Sequence, residues 1–242
     1  MAAADRGEVK ALLFDVFGTV VDWRSSIARE ARAFAARRGS AIDGEAFADA
    51  WRGLYQPAME EIRSGRRPFV KLDVLHRENL EKVLQQFGIE GVAWPELEEL
   101  NRAWHRLDPW PDTVAGLTRL KSKFIIATQS NGNVALMVNM AKRAGLPWDT
   151  ILGAEVVRHY KPAPAAYTEA CAMLGLPPDE CMMVAAHNND LLAAKRQGMK
   201  TAFVARPDEF GRGVKNFDLA PADGIDIGAA SFLELADKLG CD

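Results

Sequence analysis

The 242-residue sequence predicts a doubly wound, Rossmann-like α/β fold with a helical cap domain inserted after the first strand. Three observations predict it. From residue 113 onward, short apolar runs alternate with amphipathic stretches, the pattern of a parallel sheet with helices on both faces. Four apolar runs are followed by polar clusters, and a parallel sheet brings such ends to one edge, where sites form. The gap between the first run and the second is helical in character and far exceeds the about 30 residues of a strand–helix–strand unit.

The elements follow in order. The first run, 9–15, includes "LLFD" and reaches Asp15 before the break at Gly18-Thr19. In the cap, Trp23, Ile27, Ala31 and Phe34 recur at helical spacing. Phe47, Trp51, Leu54, Tyr55, Ala58, Met59 and Ile62 mark a longer second helix, and Leu72, Leu75, Leu80, Val83, Leu84 and Phe87 a third. "WPELEELNRAWHRL" reads as a fourth, with Pro95 near its start. "LDPWPDT", with two prolines, is the return linker. The expected division is a core of residues 1–22 and 108–242 and a cap of residues 23–107. The remaining strands are expected at 124–128, 150–154, 181–185, 201–205 and 224–227, and the core helices at 113–121, 133–144, 164–174, 190–197 and 231–239.

Composition excludes several classes. Apolar residues make up 48% and charged residues 26%, as in ordinary water-soluble domains. A net charge of -3 argues against general affinity for nucleic acid or anionic membrane. No run of about 18 apolar residues appears, and the start "MAAADRGEVK" lacks a signal-like apolar region, so a cytoplasmic location is expected. The three cysteines, Cys171, Cys181 and Cys241, show no C-x-x-C spacing and read as reduced thiols. None of His76, His105 or His159 has metal-ligand spacing.

The polar clusters are Asp15 with Thr19, "TQSNGN" (128–133), "HYKPAP" (159–164) and "AAHNND" (185–190). A strand-end aspartate can simply cap a turn, and a lone lysine is usually solvated. Four clusters in this order say more. "FDVFGT", "SNGN", "YKP" and "AHNND" resemble, in order, the four motifs of the haloacid dehalogenase superfamily, over nearly the whole chain. Within it the sequence is most similar to the L-2-haloacid dehalogenases. Those enzymes share the Asp-x-x-Gly-Thr form of Asp15–Thr19, an arginine after a cap tryptophan (Trp51-Arg52), and a tyrosine six residues past the motif lysine (Tyr167 after Lys161).

The resemblance implies roles. Asp15 is the nucleophile that displaces halide and forms an ester. Thr19 orients it. Lys161 keeps it ionised and offsets repulsion from a carboxylate substrate. Ser130 holds the substrate carboxylate, Asn131 and Arg52 receive the halide, Tyr167 donates a hydrogen bond near Lys161 or the substrate, and Asn188 contributes to the substrate site. Phe17 stands where phosphatases of the superfamily carry an aspartate that acts as acid and base. A halide leaves as a stable anion and needs no proton, so Phe17 fits carbon–halogen cleavage and can wall a halogen pocket. Asp15 with Asp190 is a thin ligand set for Mg²⁺, and no metal or cofactor is expected.

The last motif departs from the family. Serine and asparagine are common where this chain has Ala185 and His187. His187 is then expected to position or activate the hydrolytic water, with Asp190 orienting Lys161 or His187. The expected partners are a short 2-haloacid and halide, fluoroacetate being kept open, with no nucleic acid or membrane; relatives of this kind are often homodimers. Two rival readings are a phosphatase or phosphotransferase of the same superfamily and a binding module that has lost turnover.

Overall fold

The computed structural model describes residues 8–241 apart from 215 and 217. The chain runs β1 (Ala11–Phe14), β2 (Val21–Asp22), α1 (Trp23–Arg37), α2 (Gly44–Gly53), α3 (Tyr55–Arg63), α4 (Leu72–Gln86), α5 (Trp94–Asn101) and β3 (Asp108–Pro109). It continues through α6 (Thr113–Lys121), β4 (Ile125–Ser130), α7 (Val134–Ala144), β5 (Thr150–Gly153), α8 (Ala154–Val157) and α9 (Pro164–Met173). It ends with β6 (Cys181–Ala185), α10 (Asn188–Arg196), β7 (Lys200–Val204), β8 (Ile227–Ala229) and α11 (Phe232–Lys238).

Six strands form one parallel sheet in the order β5-β4-β1-β6-β7-β8. β1 is central because it is apolar on both faces. Leu12 and Phe14 pack into one core with Leu117, Leu136 and Phe232, while Ala11 and Leu13 pack into another with Ala170, Tyr167 and Leu191. Register aligns the strand ends: Phe14 pairs with Thr128 and with Val184. Residues just beyond β1, β4 and β6 therefore share one edge.

The cap helices α1 to α5 lie between the short strands β2 and β3, which pair antiparallel with Val21 opposite Pro109 and Asp22 opposite Asp108. Asp22 caps α1 by accepting from the Ser25 amide at 2.9 Å. Trp110 and Thr113 tie the returning chain to the first loop, donating to the carbonyls of Gly18 (2.9 Å) and Val20 (2.8 Å).

The short elements β2, β3 and α8 lie outside the expected set, and three expected elements differ in extent or kind. The longer second cap helix is two helices, because Pro57 lacks an N–H and its ring clashes with the carbonyl of Gly53 in a continuous helix. The fourth ends as a 3₁₀ turn over Arg102–His105. The last strand is shifted from 224–227 to Ile227–Ala229, since Gly224 is in the left-handed region and the Ile225 amide turns back to the Ala222 carbonyl. No helix among the described residues is long and apolar enough to cross a membrane.

Candidate active site

Asp15 lies one residue beyond β1, its amide bonded to the Val184 carbonyl at 3.0 Å. The sheet thus fixes its backbone before any side chain acts. Thr19 donates to Asp15 Oδ2 at 2.7 Å and accepts from the Ala186 amide at 2.9 Å, so the β6 loop locks the hydroxyl that orients the carboxylate. The intervening turn needs Gly18, whose φ is +85° and whose missing Cβ leaves room for the Glu209 carboxylate.

Lys161 Nζ donates to Asp15 Oδ1 at 2.9 Å and also to Asp190 Oδ2. Tyr167 donates from its hydroxyl to Asp190 Oδ1 at 2.6 Å. All four side chains are buried. Burial pushes Asp15 upward, but Lys161, His187 and Thr19 outweigh it and hold the carboxyl well below the usual range. Burial would lower Lys161; the two carboxylates more than offset it and keep the ammonium charged. For Asp190, burial, reinforced by the Asp15 charge, pushes the pKa upward against the pull of Lys161 and Tyr167. Asp190 therefore holds Lys161, and Tyr167 holds Asp190. Of the two expected places for the Tyr167 hydrogen bond, beside Lys161 or on the substrate, the hydroxyl takes the first, on the carboxylate that holds Lys161.

His187 stands across the carboxylate from Lys161. Its Nδ1 lies 3.1 Å from Asp15 Oδ2, and its Nε2 lies 2.9 Å and 3.1 Å from the Glu209 oxygens. Glu209 is only 2% exposed and also accepts from Trp23 Nε1 at 3.1 Å. Burial would lower the His187 pKa, but Glu209 and Asp15 raise it to about 10. In the free protein His187 is therefore an imidazolium between two carboxylates. This corrects one expectation, since the resting His187 is no base near neutral pH; of the two expected partners of Asp190 the structure has Lys161, and His187 is held by Glu209 instead. Sequence reasoning missed Glu209. The signal was available in "RPDEF", a charged cluster directly after the fifth core strand.

The other expected site residues divide. Ser130 is buried at the end of β4 and accepts from the Gly132 amide at 3.0 Å, which leaves its hydroxyl proton to donate. Asn131 accepts the Lys161 amide at 2.8 Å through Oδ1, which leaves Nδ2 as a donor. Arg52 reaches from α2 into an aromatic chamber. Its guanidinium carbon lies 4.0 Å from the Tyr55 ring centre, 5.4 Å from Trp23 and 5.8 Å from Phe17. No described carboxylate is ion-paired with it, and its Nη1 is buried without a partner. Phe17 is 2% exposed and meets Tyr55, His76 and Trp104 edge-on.

Asn188 is a correction. Its Nδ2 donates to Asp218 (2.7 Å) and to the Ala220 carbonyl (3.0 Å), and its Oδ1 accepts the Ala222 amide at 2.8 Å. The carboxamide is consumed in pinning this loop and has no group left for substrate.

The donor set does not suit a divalent cation. Asp15 and Asp190 converge on the Lys161 ammonium, which takes the place and the charge a bridging cation would need. Among the described residues no group of three His, Cys, Asp or Glu side chains could hold a metal ion.

A buried, ionised aspartate at a parallel-sheet edge, flanked by a lysine and a threonine beneath a helical cap, has the charge and placement that suit a nucleophile. The model of the haloacid dehalogenase-like hydrolases matches residues 9–198, and the chain belongs to that family. It is 29% identical over 200 residues to the (S)-2-haloacid dehalogenase of Xanthobacter autotrophicus, covering 82% of this chain and 76% of that one. A crystal structure of a defluorinating L-2-haloacid dehalogenase is similar at a TM-score of 0.94 and 51% identity over 96% of each chain. A second L-2-haloacid dehalogenase structure has a TM-score of 0.92 and 46% identity, over 96% of this chain and 99% of that one.

Proposed function

We propose that this protein hydrolyses the carbon–halogen bond of short 2-haloalkanoic acids through an ester on Asp15. The observation that carries the reading is the pairing of an ionised Asp15 with Phe17 two residues later. The carboxylate is charged for attack, and an aromatic ring stands two residues on, where the superfamily's phosphatases carry their acid–base aspartate. Asp15 Oδ1 accepts one hydrogen bond and Oδ2 accepts two, so Oδ1 is the freer nucleophile. It attacks C2 in line, the carbon inverts, and halide leaves with the bonding pair. Arg52 and the Asn131 amide receive it, Ser130 binds the substrate carboxylate, and the cap excludes water.

Ester formation removes the Asp15 charge and with it one of the two anions that hold His187 protonated. His187 then falls toward its ordinary range, gives up the Nδ1 proton and can accept one from water. Glu209 keeps the proton on Nε2 and stabilises the imidazolium that reforms. Water attacks the Asp15 carboxyl carbon, the bond from that carbon to the alkyl oxygen breaks, and the 2-hydroxy acid leaves. The balance is haloacid plus water to hydroxy acid, halide and one proton.

Halide release from chloroacetate, fluoroacetate and both enantiomers of 2-chloropropionate, measured with chelator present, tests the reading. Release from none of them would refute it. Phosphatase activity that vanishes in chelator, without halide release, would favour the phosphatase reading. The buried thiols of Cys171 and Cys181 fit a reducing compartment, and the cytoplasm is the proposed location. A homodimer is proposed by likeness to the family and is checked by sedimentation.

A further inference from the structure

We infer that His76 and Trp104 are halide-binding residues, their ring N–H groups joining Arg52 in a cradle suited to fluoride. This inference rests on the dehalogenase reading and goes beyond it.

It starts from buried polar atoms without partners. Eight buried side-chain nitrogen or oxygen atoms among the described residues lack a hydrogen-bond partner, and four of them belong to one chamber: Arg52 Nη1, both ring nitrogens of His76, and Trp104 Nε1. Native proteins rarely leave buried polar groups unpaired, and several together point to a ligand. The side chains are built in rather than loose. His76 and Trp104 are 1% and 0% exposed, and their rings stack at 4.3 Å with 22° between planes. The Trp51 indole holds the His76 carbonyl at 3.0 Å.

The chamber adjoins the reacting groups through Phe17. The Phe17 ring lies 5.8 Å from Trp104 and 6.4 Å from His76, and its other edge faces Gly132, next to Asn131. The electrostatics select an anion. Arg52 brings a charge with no carboxylate paired to it. Burial, helped by Arg52, outweighs the nearby Asp73 carboxylate and lowers His76 to about 3, so the imidazole is neutral and keeps one N–H. No carboxylate bonds to His76, Trp104 or Arg52 among the described residues.

Two anionic groups of the substrate could fill such a chamber, the carboxylate or the departing halogen. The aromatic rings of Phe17, Trp23, Tyr55 and Trp104 around Arg52 and His76 favour the halogen, which is bound to carbon until it leaves and gains its charge only in the transition state. Fluoride is the smallest halide and the strongest hydrogen-bond acceptor. Its departure depends on donors, whereas bromide leaves without them. His76 also carried a sequence signal. It lies four residues after Leu72 on the apolar stripe of α4, an ionisable side chain on a buried face.

The test compares kcat/KM for fluoroacetate and bromoacetate, because this ratio covers all steps through halide departure. His76→Phe keeps the stacked ring and removes both nitrogens; Trp104→Phe removes one N–H and carries the same test should the first variant not fold. Each is expected to lose roughly 10²-fold on fluoroacetate, by analogy with deleting one transition-state donor, and less than about threefold on bromoacetate. His76→Gln, which restores a donor, is expected to recover part of the fluoroacetate loss. Equal losses on both substrates in folded variants, or no loss, would overturn the assignment. A rise in KM alone, the same for every halogen, would move the chamber to the substrate carboxylate and also overturn it. Wild-type bromide release without fluoride release would refute the cradle while leaving the dehalogenase reading intact; release of neither would sink that reading itself.

Discussion

Replacing Glu209 by Gln probes the water step and isolates it from ester formation. Glu209 offers three acceptor contacts: 2.9 Å and 3.1 Å to His187 Nε2 and 3.1 Å to Trp23 Nε1. Glutamine has the same shape but one acceptor oxygen. If that oxygen stays on Trp23, the amide NH₂ faces His187 Nε2. The imidazole must then accept there and carry its proton on Nδ1, the nitrogen that should take the proton from water. Loss of the negative charge also removes the chief cause of the raised His187 pKa. A general base contributes about 10²- to 10⁴-fold, and a carboxylate that sets the tautomer of an imidazole carries much of that. Halide release from chloroacetate should therefore show a burst equal to the enzyme present, followed by turnover slowed at least about 10²-fold. Mass spectrometry should find the carboxymethyl adduct on Asp15. Thermodynamics gives a second readout. The rise of His187 from 6.5 to about 10 corresponds to at most roughly 5 kcal/mol, at about 1.36 kcal/mol per tenfold change in proton affinity. Since the folded-state value is raised, this stability is full below about pH 6.5 and is lost as pH climbs through about 10. Denaturant midpoints of Glu209→Gln should fall less steeply over that window. Linear halide release without adduct, at near wild-type turnover, would refute the assignment of Glu209 and His187 to the water step.

Other outcomes follow from the same geometry. Lys161→Met leaves Asp15 and Asp190 buried without their shared cation; it should destabilise by about 3–5 kcal/mol in urea unfolding and abolish the halide burst. Tyr167→Phe removes the 2.6 Å bond to Asp190; a loss of about 1–3 kcal/mol is expected, with alkylation slowed more than KM changes. Asn188→Ala should cost about 1 kcal/mol through the 218–222 loop and leave kcat/KM within about twofold, since its carboxamide is spent on that loop. A large catalytic defect there, with the fold intact, would return Asn188 to the substrate site.

Much of this protein was legible in one dimension because strands and amphipathic helices write their burial into residue spacing. The run ending at Asp15, the alternation after residue 113 and the polar clusters after β4 and β6 follow from local patterns, and parallel register then forces their ends together. Helix α6 runs over 113–121, as the pattern predicts. Boundaries went astray where a single residue overrides a stripe, as Pro57 does between α2 and α3.

The amino-acid sequence, through its resemblance to the haloacid dehalogenases, pointed to the class of chemistry: an aspartate at a strand end, a lysine expected to keep it charged, and an aromatic ring where the superfamily's phosphatases carry a proton donor. Only the tertiary structure decided how the protons are arranged. Glu209 lies 22 residues from His187 and 186 from Trp23, and no periodicity links them. His76 reads as one more buried position on a helix until Trp104 and Arg52 surround it. The physical reason is that hydrogen bonds and charge pairs act over a few ångströms in space and leave no trace in spacing along the chain, whereas burial repeats with each turn and each pleat.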